Sequence, residues 1–573
     1  MMPLPNNASS AVMQGDDDVA NFVVAPRLTL PTKSIDQWTT HMSLEVPYSP
    51  PSSSVFPDNE MAVDLFPTLV ISAIQLTKKE MASEKPKMAA ESYKAQIQKL
   101  LKTSSVYVLA ALASPLVSLV LAPFLTRNLS HEDYGILAVL NTAIALLAGL
   151  TQVGLGSAFF RSYNYDYETK RDRLDVLSTT VLLLLFISVP TILVTVQMAP
   201  LLTTVLLASP SAINAMKIGA FVVLLQNLTV PGFAWLRAES RAGYFTALSI
   251  TNVLVNLGTT LLFVGIFHMG VDGSLLGTGC GYGVVVLCVY PFIFLKAGFK
   301  FRTDIARGLL VFGLPNVTNF VSVWVLQLSD RYLLSHFGSL AQTASYAVAY
   351  SFGGILSVVV LSPFSLAWPS AMFTIAKRDD APRIFRLVFR WYMVVLLVSA
   401  FGLSLICTIM LTLFFPVSYH SSALIIPIIS LSTLFYGVYN LFTTGISVKK
   451  KTWYAVIFTT ISALANIGFN LVLIPLYGAM GAALATLLAY ILLALVAYIV
   501  NQRLYPIPFE IGMFMMALAV GLGCYAGSII LTQGQGMYVT WCYSFVFLCC
   551  YALCLLLLVG RSFIKKKTRL LRK

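Results

Sequence analysis

From Thr103 onward, apolar runs long enough to cross a lipid bilayer alternate with short polar breaks. An α-helix of about 20 residues, rising about 1.5 Å per residue, crosses a hydrocarbon core of roughly 30 Å. Only 11% of the residues are charged and 57% are hydrophobic, whereas soluble domains carry about 25% charged residues. The sequence therefore predicts an all-α integral membrane protein and excludes a water-soluble fold. The predicted spans, about 14 in number, lie near residues 104–125, 136–160, 176–198, 212–236, 244–267, 274–295, 308–333, 343–371, 387–414, 422–446, 454–474, 480–500, 511–531 and 537–560.

The basic residues are unevenly distributed over the predicted connections. Lys and Arg number 38 against 24 Asp and Glu, which gives a formal net charge of +14. Nearly all of the Lys and Arg residues fall before the first span, in every second connection or in the C-terminal tail. The exceptions are Arg127, Lys217 and Arg331. Cytoplasmic loops of membrane proteins are rich in Lys and Arg. We therefore expect an even number of spans with both termini in the cytoplasm. Because the charge lies in short connections, it does not indicate a nucleic-acid-binding surface.

The first 95 residues differ in composition from the rest of the chain. Runs such as 16–18 (Asp-Asp-Asp) and 49–54 (Ser-Pro-Pro-Ser-Ser-Ser) show neither a helical nor a strand period. Polar, Pro-rich stretches of this kind cannot bury enough apolar surface to fold. We predict a disordered cytoplasmic extension over 1–95. A natural start at Met81 or Met88 is an open alternative.

Two parts of the chain resemble each other at an offset of about 210 residues. Asn256-Leu-Gly pairs with Asn466-Ile-Gly, and after a two-residue slip Gly270-Val-Asp-Gly pairs with Gly478-Ala-Met-Gly. Further matches pair Arg241 with Lys451, Thr278 with Thr486, Tyr282 with Tyr490 and Tyr134 with Tyr346. The offset spans six helices, so both copies enter the membrane with the same orientation.

The repeat predicts two pseudo-symmetric six-helix lobes, residues 96–303 and 304–505. A terminal transmembrane helix pair follows at 506–560, and a basic cytoplasmic tail at 561–573. Two such lobes can rock about a central cavity and open it to each side in turn. We therefore expect transport by alternating access rather than a channel or an enzyme.

Four stretches resemble Wzx-type flippases, a family of the multidrug, oligosaccharidyl-lipid and polysaccharide exporter superfamily. They are residues 125–135 (LTRNLSHEDYG), 154–161 (GLGSAFFR), 330–334 (DRYLL) and 466–483 (NIGFNLVLIPLYGAMGAA). Together they cover most of residues 101–505. Ser130 departs from the family pattern, which usually has Gly there, and the long N-terminal extension is a second departure.

The resemblance implies that the chain flips a polyprenyl-diphosphate-linked oligosaccharide from the cytoplasmic to the outer leaflet of a bacterial inner membrane. This would serve synthesis of O-antigen, capsule or exopolysaccharide. The implied partners are the lipid-linked oligosaccharide and membrane lipids, with other polysaccharide-assembly proteins as an open question. Flippases of this superfamily use helices beyond the two lobes near the lipid tail, which is the role implied for 506–560.

A diphosphate headgroup needs cationic partners on its way through a low-dielectric region. Arg161 and Arg237 end two predicted spans on the cytoplasmic side, where they could meet the substrate first. Arg127 ends the first span on the outer side, where it could guide release. For all three, an alternative is a purely interfacial anchor whose charged head extends to the membrane surface.

Asp330 and Arg331 lie inside an apolar stretch, and charges within a membrane span are functional candidates by default. We expect either a structural ion pair or a site at which Asp330 binds a coupling proton or cation while Arg331 binds diphosphate or sugar. Asn316 and Asn319 follow Pro315, where a kink would turn polar groups toward a cavity. These two are the preferred candidates for sugar contacts.

Several function classes lack their sequence signals. There is no Walker A motif for ATP and no carboxylate or His cluster of an enzyme. The eight cysteines all lie in apolar runs, and four of the five histidines are scattered over outer connections, so no metal site is expected. We predict no cofactor, with possible coupling to H⁺ or Na⁺. The alternative functions are a cation-coupled drug or metabolite antiporter and a membrane glycolipid polymerase or ligase.

Overall fold

The structure is a computed structural model that describes residues 117–207 and 212–570. The extension predicted over 1–95 and most of the first predicted span lie outside these residues. Within the described ranges the chain forms helices and turns, and no β-strand occurs. The helices that correspond to the predicted spans are α1 (117–128), α2 (His131–Gln152), α3 (Lys170–Gln197), α4 (Ile213–Ala238), α5 (Ala242–Thr260), α6 (Gly270–Ala297), α7 (Thr303–Phe337), α8 (Leu340–Gly353), α9 (Ala381–Phe414), α10 (Ile426–Phe442), α11 and α12 (the two parts of Trp453–Leu504), α13 (Ile511–Thr532) and α14 (Met537–Leu570).

Twelve helices in the described part of the chain are long and apolar enough to cross a membrane. One of them, Trp453–Leu504, has 52 residues, and at about 1.5 Å per residue it is long enough for two crossings. Its backbone leaves the helical conformation at Gly478, which separates α11 from α12. With α1 counted at its described end, the prediction of an all-α membrane fold with about 14 spans is confirmed. The last helix continues to Leu570, into the stretch predicted as the basic tail.

The internal repeat is visible in the backbone. Gly270 has a φ of 59° and Gly478 a φ of 56°, and each begins the final helix of its lobe. This left-handed conformation favours glycine because glycine has no Cβ. One turn later, a Cβ on Gly273 would lie 3.1 Å from the Phe263 backbone, and one on Gly481 would lie 2.0 Å from the carbonyl oxygen of Leu473. The same close hairpin thus occurs at α5–α6 and at α11–α12.

Buried apolar residues form three clusters. One joins residues of both lobes at the helix ends remote from the basic connections; it includes Leu129, Ala212, Leu334, Ala344 and Phe415. The other two lie toward the basic connections: one belongs mainly to the first lobe and includes Leu155, Trp235 and Ile293, and the other belongs to the second lobe and the terminal pair and includes Phe389, Leu441 and Tyr551. We call the first side the closed side and the other the basic side. The two lobes therefore share a core on the closed side and have separate cores on the basic side.

The connection between the lobes, residues 298–302, is bound to the first lobe; we call it the strap. Ser178 Oγ on α3 accepts a hydrogen bond from the Lys300 N–H at 2.8 Å. The guanidinium of Arg302 lies 2.8 Å from the Asp172 carboxylate, at the start of α3. Through these contacts the strap follows α3 instead of forming a free linker.

Helix α7 packs against both lobes. Ile305 and Leu309, near its start, belong to the buried core of the first lobe. Further along, the hydroxyls of Ser322 and Thr460 lie 2.9 Å apart and join α7 to α11, and Leu326 belongs to the core of the second lobe. Helix α7 therefore contributes its first turns to the core of the first lobe and its later turns to the core of the second.

Helix α2 is interrupted where it meets α7. Val153 has a φ of 47° and Gly154 a φ of 65°, after which the short helix Leu155–Arg161 continues to the basic side. A left-handed conformation at a β-branched residue costs about 1–3 kcal/mol and persists only where the surroundings hold it. Gly313 of α7 lies directly against this break, since a Cβ on Gly313 would be 2.2 Å from the Val153 carbonyl oxygen.

The terminal pair is attached to the second lobe by a buried ion pair. Arg390 of α9, only 6% exposed, binds the Glu510 carboxylate bidentately, with 2.7 Å between Nε and Oε2. Within the pair, the hydroxyl of Tyr551 on α14 donates to the Ala517 carbonyl of α13 at 3.0 Å. Planar, bidentate pairing of this kind fixes both distance and orientation.

Substituting Gly313 tests the contact between α7 and the break in α2. We expect Gly313→Ala to lower the free energy of unfolding by about 1–3 kcal/mol, because the added methyl overlaps the Val153 carbonyl. Gly308→Ala is the matched control on the same helix, since its Cβ would meet open space and should be neutral or slightly stabilising. Thermal unfolding in detergent measures both. Equal melting temperatures for the two variants would contradict the close contact.

Candidate functional site

Two of the predicted arginines lie at the basic side, each against an aromatic ring. The guanidinium of Arg161 stacks over the Phe312 ring of α7 at 4.8 Å from its centroid, and its side chain is 54% exposed. The guanidinium of Arg237, at the end of α4, lies 4.9 Å from the centroid of Phe160, the residue before Arg161. Asp166 lies 3.8 Å from Arg161 Nε. Both cations are thus held by aromatic rings while their charged groups stay accessible.

The predicted asparagines continue this surface along α7. Asn316, one turn beyond Phe312, is exposed and its amide donates to the Phe312 carbonyl at 3.3 Å. Asn319 accepts a hydrogen bond from Thr459 of α11 at 3.5 Å. Residues three and four positions apart share a helix face, so the structure brings Arg161 and both asparagines to one side of α7. The helix itself continues through Pro315, and the backbone break lies opposite, in α2.

Asp330 and Arg331 form a buried pair deeper in α7. Asp330 is 1% exposed and Arg331 9%, with 3.6 Å between the carboxylate and the guanidinium. The carboxylate also accepts hydrogen bonds from the hydroxyls of Tyr346 on α8 and Thr486 on α12, the latter at 3.3 Å. Arg331 stacks over the Tyr350 ring at 4.4 Å. A buried charge is tolerated when its neighbours donate in this way, and the carboxylate thereby joins three helices of the second lobe.

A row of buried polar side chains on α11 lies at the same depth. Contacts of Ser322 with Thr460 and of Asn319 with Thr459 align α7 and α11 in parallel. Asp330 lies eight residues beyond Ser322, and eight residues beyond Thr460 the chain is between Asn466 and Asn470. Equal rise per residue places these side chains level with Asp330.

This row has hydrogen-bonding capacity that its neighbours do not use. Asn470 Nδ2 donates to Asn466 Oδ1 at 3.0 Å. Asn466 Nδ2, Asn470 Oδ1 and Ser462 Oγ are buried and have no hydrogen-bond partner among the described residues. Unpaired buried polar atoms are uncommon in folded proteins, and each one calls for an explanation such as a bound ion or water.

Arg127 lies apart from the other candidates, on the closed side. Its Nε donates to the carbonyl of Phe414, the last residue of α9, at 3.1 Å. The other site candidates either lie on the basic half of the molecule or surround Asp330. No group of three or more His, Cys, Asp or Glu side chains within 117–207 and 212–570 is arranged to hold a metal ion.

The arrangement of these helices matches solved transporter structures. A lipid II flippase, MurJ, in an inward closed conformation has a TM-score of 0.65 at 16% identity, covering 81% of this chain and all of the other. An inward-facing multidrug resistance MATE family transporter of the MOP superfamily gives 0.54 at 15% identity, covering 69% of this chain and 93% of the other. The Vibrio cholerae MATE transporter VcmN gives 0.52 at 15% identity, covering 72% and 98%. The chain has the MOP transporter fold.

A family model supports the same assignment from the sequence. Residues 100–375 match the family described as polysaccharide biosynthesis protein. None of the curated proteins matches the chain. The resemblance to polysaccharide flippases of the MOP superfamily predicted from the motifs is confirmed by the family match together with the MOP fold.

The sequence did not identify the partners of the charged candidates. Phe160 and Phe312, which position Arg237 and Arg161, stand in the sequence as ordinary apolar residues of two predicted spans. Tyr346 and Thr486 stood out only as members of the internal repeat, where their matches are Tyr134 and Thr278. Their convergence on Asp330 depends on the packing of α8 and α12 against α7.

Removing the tyrosine hydroxyl tests the buried carboxylate. We expect Tyr346→Phe to lower the free energy of unfolding by about 1–3 kcal/mol, because the buried Asp330 carboxylate loses a hydrogen-bond donor. Tyr332→Phe is the matched control, since it lies on the same helix as Asp330 and is partly exposed. Thermal melts of both purified variants give the comparison. A melting temperature for Tyr346→Phe equal to that of the control would mean that this hydrogen bond does not stabilise the fold.

Proposed function

We propose that the chain flips a polyprenyl-diphosphate-linked oligosaccharide from the cytoplasmic to the outer leaflet of a bacterial inner membrane, by alternating access. The product would enter O-antigen, capsule or exopolysaccharide synthesis. The observation that supports this most directly is the pair of exposed guanidinium groups, Arg161 and Arg237, on the side where the lobes have separate cores. Phosphate and diphosphate groups are preferred ligands of arginine.

The order of groups along α7 suits a headgroup with a charged and a sugar part. Arg161 would bind the diphosphate at the basic side, and the exposed amide of Asn316 would reach sugar hydroxyls one turn deeper. Amides offer both donors and acceptors, as hydroxyl groups require. Under this proposal the basic side faces the cytoplasm, in agreement with the distribution of Lys and Arg.

We propose in addition that a coupling cation, H⁺ or Na⁺, binds at Asp330. The carboxylate lies level with Asn470, whose Oδ1 has no partner among the described residues, and near the hydroxyl of Thr486. Carboxylate, hydroxyl and amide oxygens are ligands that hard cations prefer, and a carboxylate also accepts a proton. Because Asp330 contacts α8 and α12, its charge state can change the packing of the second lobe.

The competing functions differ in what they require of these residues. A cation-coupled antiporter of drugs or metabolites would share the fold and the buried carboxylate, but it has no need of paired arginines at the basic side. A glycolipid polymerase or ligase would need catalytic groups on an outer loop. The MATE structures of similar fold make the antiporter the second candidate.

Reconstitution tests the substrate. Purified protein in liposomes should move a fluorescent polyprenyl-diphosphate oligosaccharide between leaflets, measured as protection from a membrane-impermeant quencher. Arg161→Gln and Arg237→Gln should each slow this movement about tenfold, since each removes a charge-assisted contact. Arg383→Gln is the control, an exposed cation at the start of α9. Drug movement without glycolipid movement would support the antiporter instead.

Asp330→Asn tests the coupling. An imposed pH or Na⁺ gradient should accelerate flipping by the wild type, and the variant should lose that acceleration because the amide no longer carries the charge. A melting temperature measured alongside separates loss of coupling from loss of fold. If the flipping rate of the wild type is the same with and without either gradient, a coupling role for Asp330 is refuted.

A further inference from the structure

The end of α1 contacts the second lobe on the closed side. Arg127 Nε donates to the carbonyl of Phe414 at 3.1 Å. Phe414 is the last residue of α9, and the final carbonyls of a helix lack partners within the helix and bear a partial negative charge. A guanidinium from the first lobe therefore binds the end of a helix of the second.

His131, the first residue of α2, makes a second contact of this kind. Its Nε2 lies 3.0 Å from Ser345 Oγ on α8, and its ring centroid lies 4.3 Å from that of Tyr419. Tyr419 is fixed in the turn Val417–Leu424, in which Ser422 donates to the Ser345 carbonyl at 2.8 Å. The imidazole is thus held between two elements of the second lobe.

The backbones of the two lobes also meet one turn further along α2. A Cβ on Gly135 would lie 2.1 Å from the carbonyl oxygen of Leu340, at the start of α8. Tyr134 packs edge-on against Tyr419 at 5.9 Å. The two polar contacts thus lie beside a direct backbone contact, and together they form the joint between the lobes.

We propose that Arg127 and His131 form a latch that holds the lobes together on the closed side and opens when the lobes separate there. The inference rests on the proposed function in so far as lobe separation is a step of transport. Each contact joins different lobes, whereas the hydrogen bonds of Asp330 and the strap are each made largely within one lobe. Arg127 is exposed, and a single solvent-accessible hydrogen bond contributes little to stability. The Arg127 contact is therefore weak enough to break and re-form.

The latch also gives the motif at 125–135 a mechanical role. Arg127, Tyr134 and Gly135 lie in the first of the four stretches that resemble flippases. Each of these three residues contacts a residue of the second lobe. Under this proposal Arg127 is a positioning residue that acts on the lobes rather than on the substrate.

Hydrogen–deuterium exchange of the full chain in lipid nanodiscs tests the latch without substrate. Arg127→Gln and His131→Ala should each speed amide exchange about fivefold in segments 131–135 and 340–345, because local opening becomes easier. Exchange in segment 176–184, in the basic-side core of the first lobe, should stay unchanged. Lys217→Gln is the control, because Lys217 is an exposed cation near the start of α4, which is the closed-side end of that helix.

The outcomes separate the latch from the proposed function. Unchanged exchange at 131–135 and 340–345 in both variants would overturn the latch, even if the protein flips glycolipid. Faster exchange throughout the variants, including 176–184, would also overturn it, since it would indicate general unfolding. Faster exchange confined to the closed side, in a protein that moves no glycolipid, would support the latch and refute the proposed substrate.

Discussion

Backbone hydrogen bonding within hydrocarbon governs this structure. Every N–H and C=O in the bilayer core must find a partner inside the protein, so a chain crossing it adopts helices and places its breaks where other protein atoms cover them. The interruption at Val153 and Gly154 follows this rule, because Gly313 of α7 lies against it. The turns at Gly270 and Gly478 lie instead at helix ends, where a change of direction exposes few backbone groups to lipid.

The same constraint explains the side chains around Asp330. A carboxylate in a membrane span is stable only if donors surround it, and here the donors come from α7, α8 and α12. The structural and the coupling interpretations of Asp330 and Arg331 were alternatives at the level of sequence. The two are compatible under the proposed function, since a pair that joins three helices would act on all of them if its charge changed.

Much of the fold could be predicted because hydropathy reports spans directly. The apolar runs located the membrane helices, and the predicted spans 454–474 and 480–500 left between them the connection in which Gly478 lies. The short helix Ala199–Leu207 and the 3₁₀ turn Val417–Leu424 were not predicted, because short apolar pieces beside a span have no period of their own. The side chains that contact the charged residues were not predicted, for a different reason. Phe160, Phe312 and Tyr346 act through contacts between distant helices, which a single sequence does not encode in any local pattern.

For the site residues, too, the sequence predicted individual positions but not the contacts between them. Arg161, Asn316 and Asn319 are predicted from separate features of the sequence, and the structure places them on one side of α7, where Arg161 follows the break in α2. A substrate contact for Arg127 stays a prediction, and the structure places this residue at the joint between the lobes. In this protein the location of a charged residue was therefore easier to predict from the sequence than its role.

The strap determines how α7 must behave mechanically. Because residues 298–302 are bound to α3, the start of α7 travels with the first lobe, while its later turns are fixed to α11 in the second. Relative movement of the lobes would therefore act on both ends of α7, so that this helix would have to bend or give up one set of its contacts.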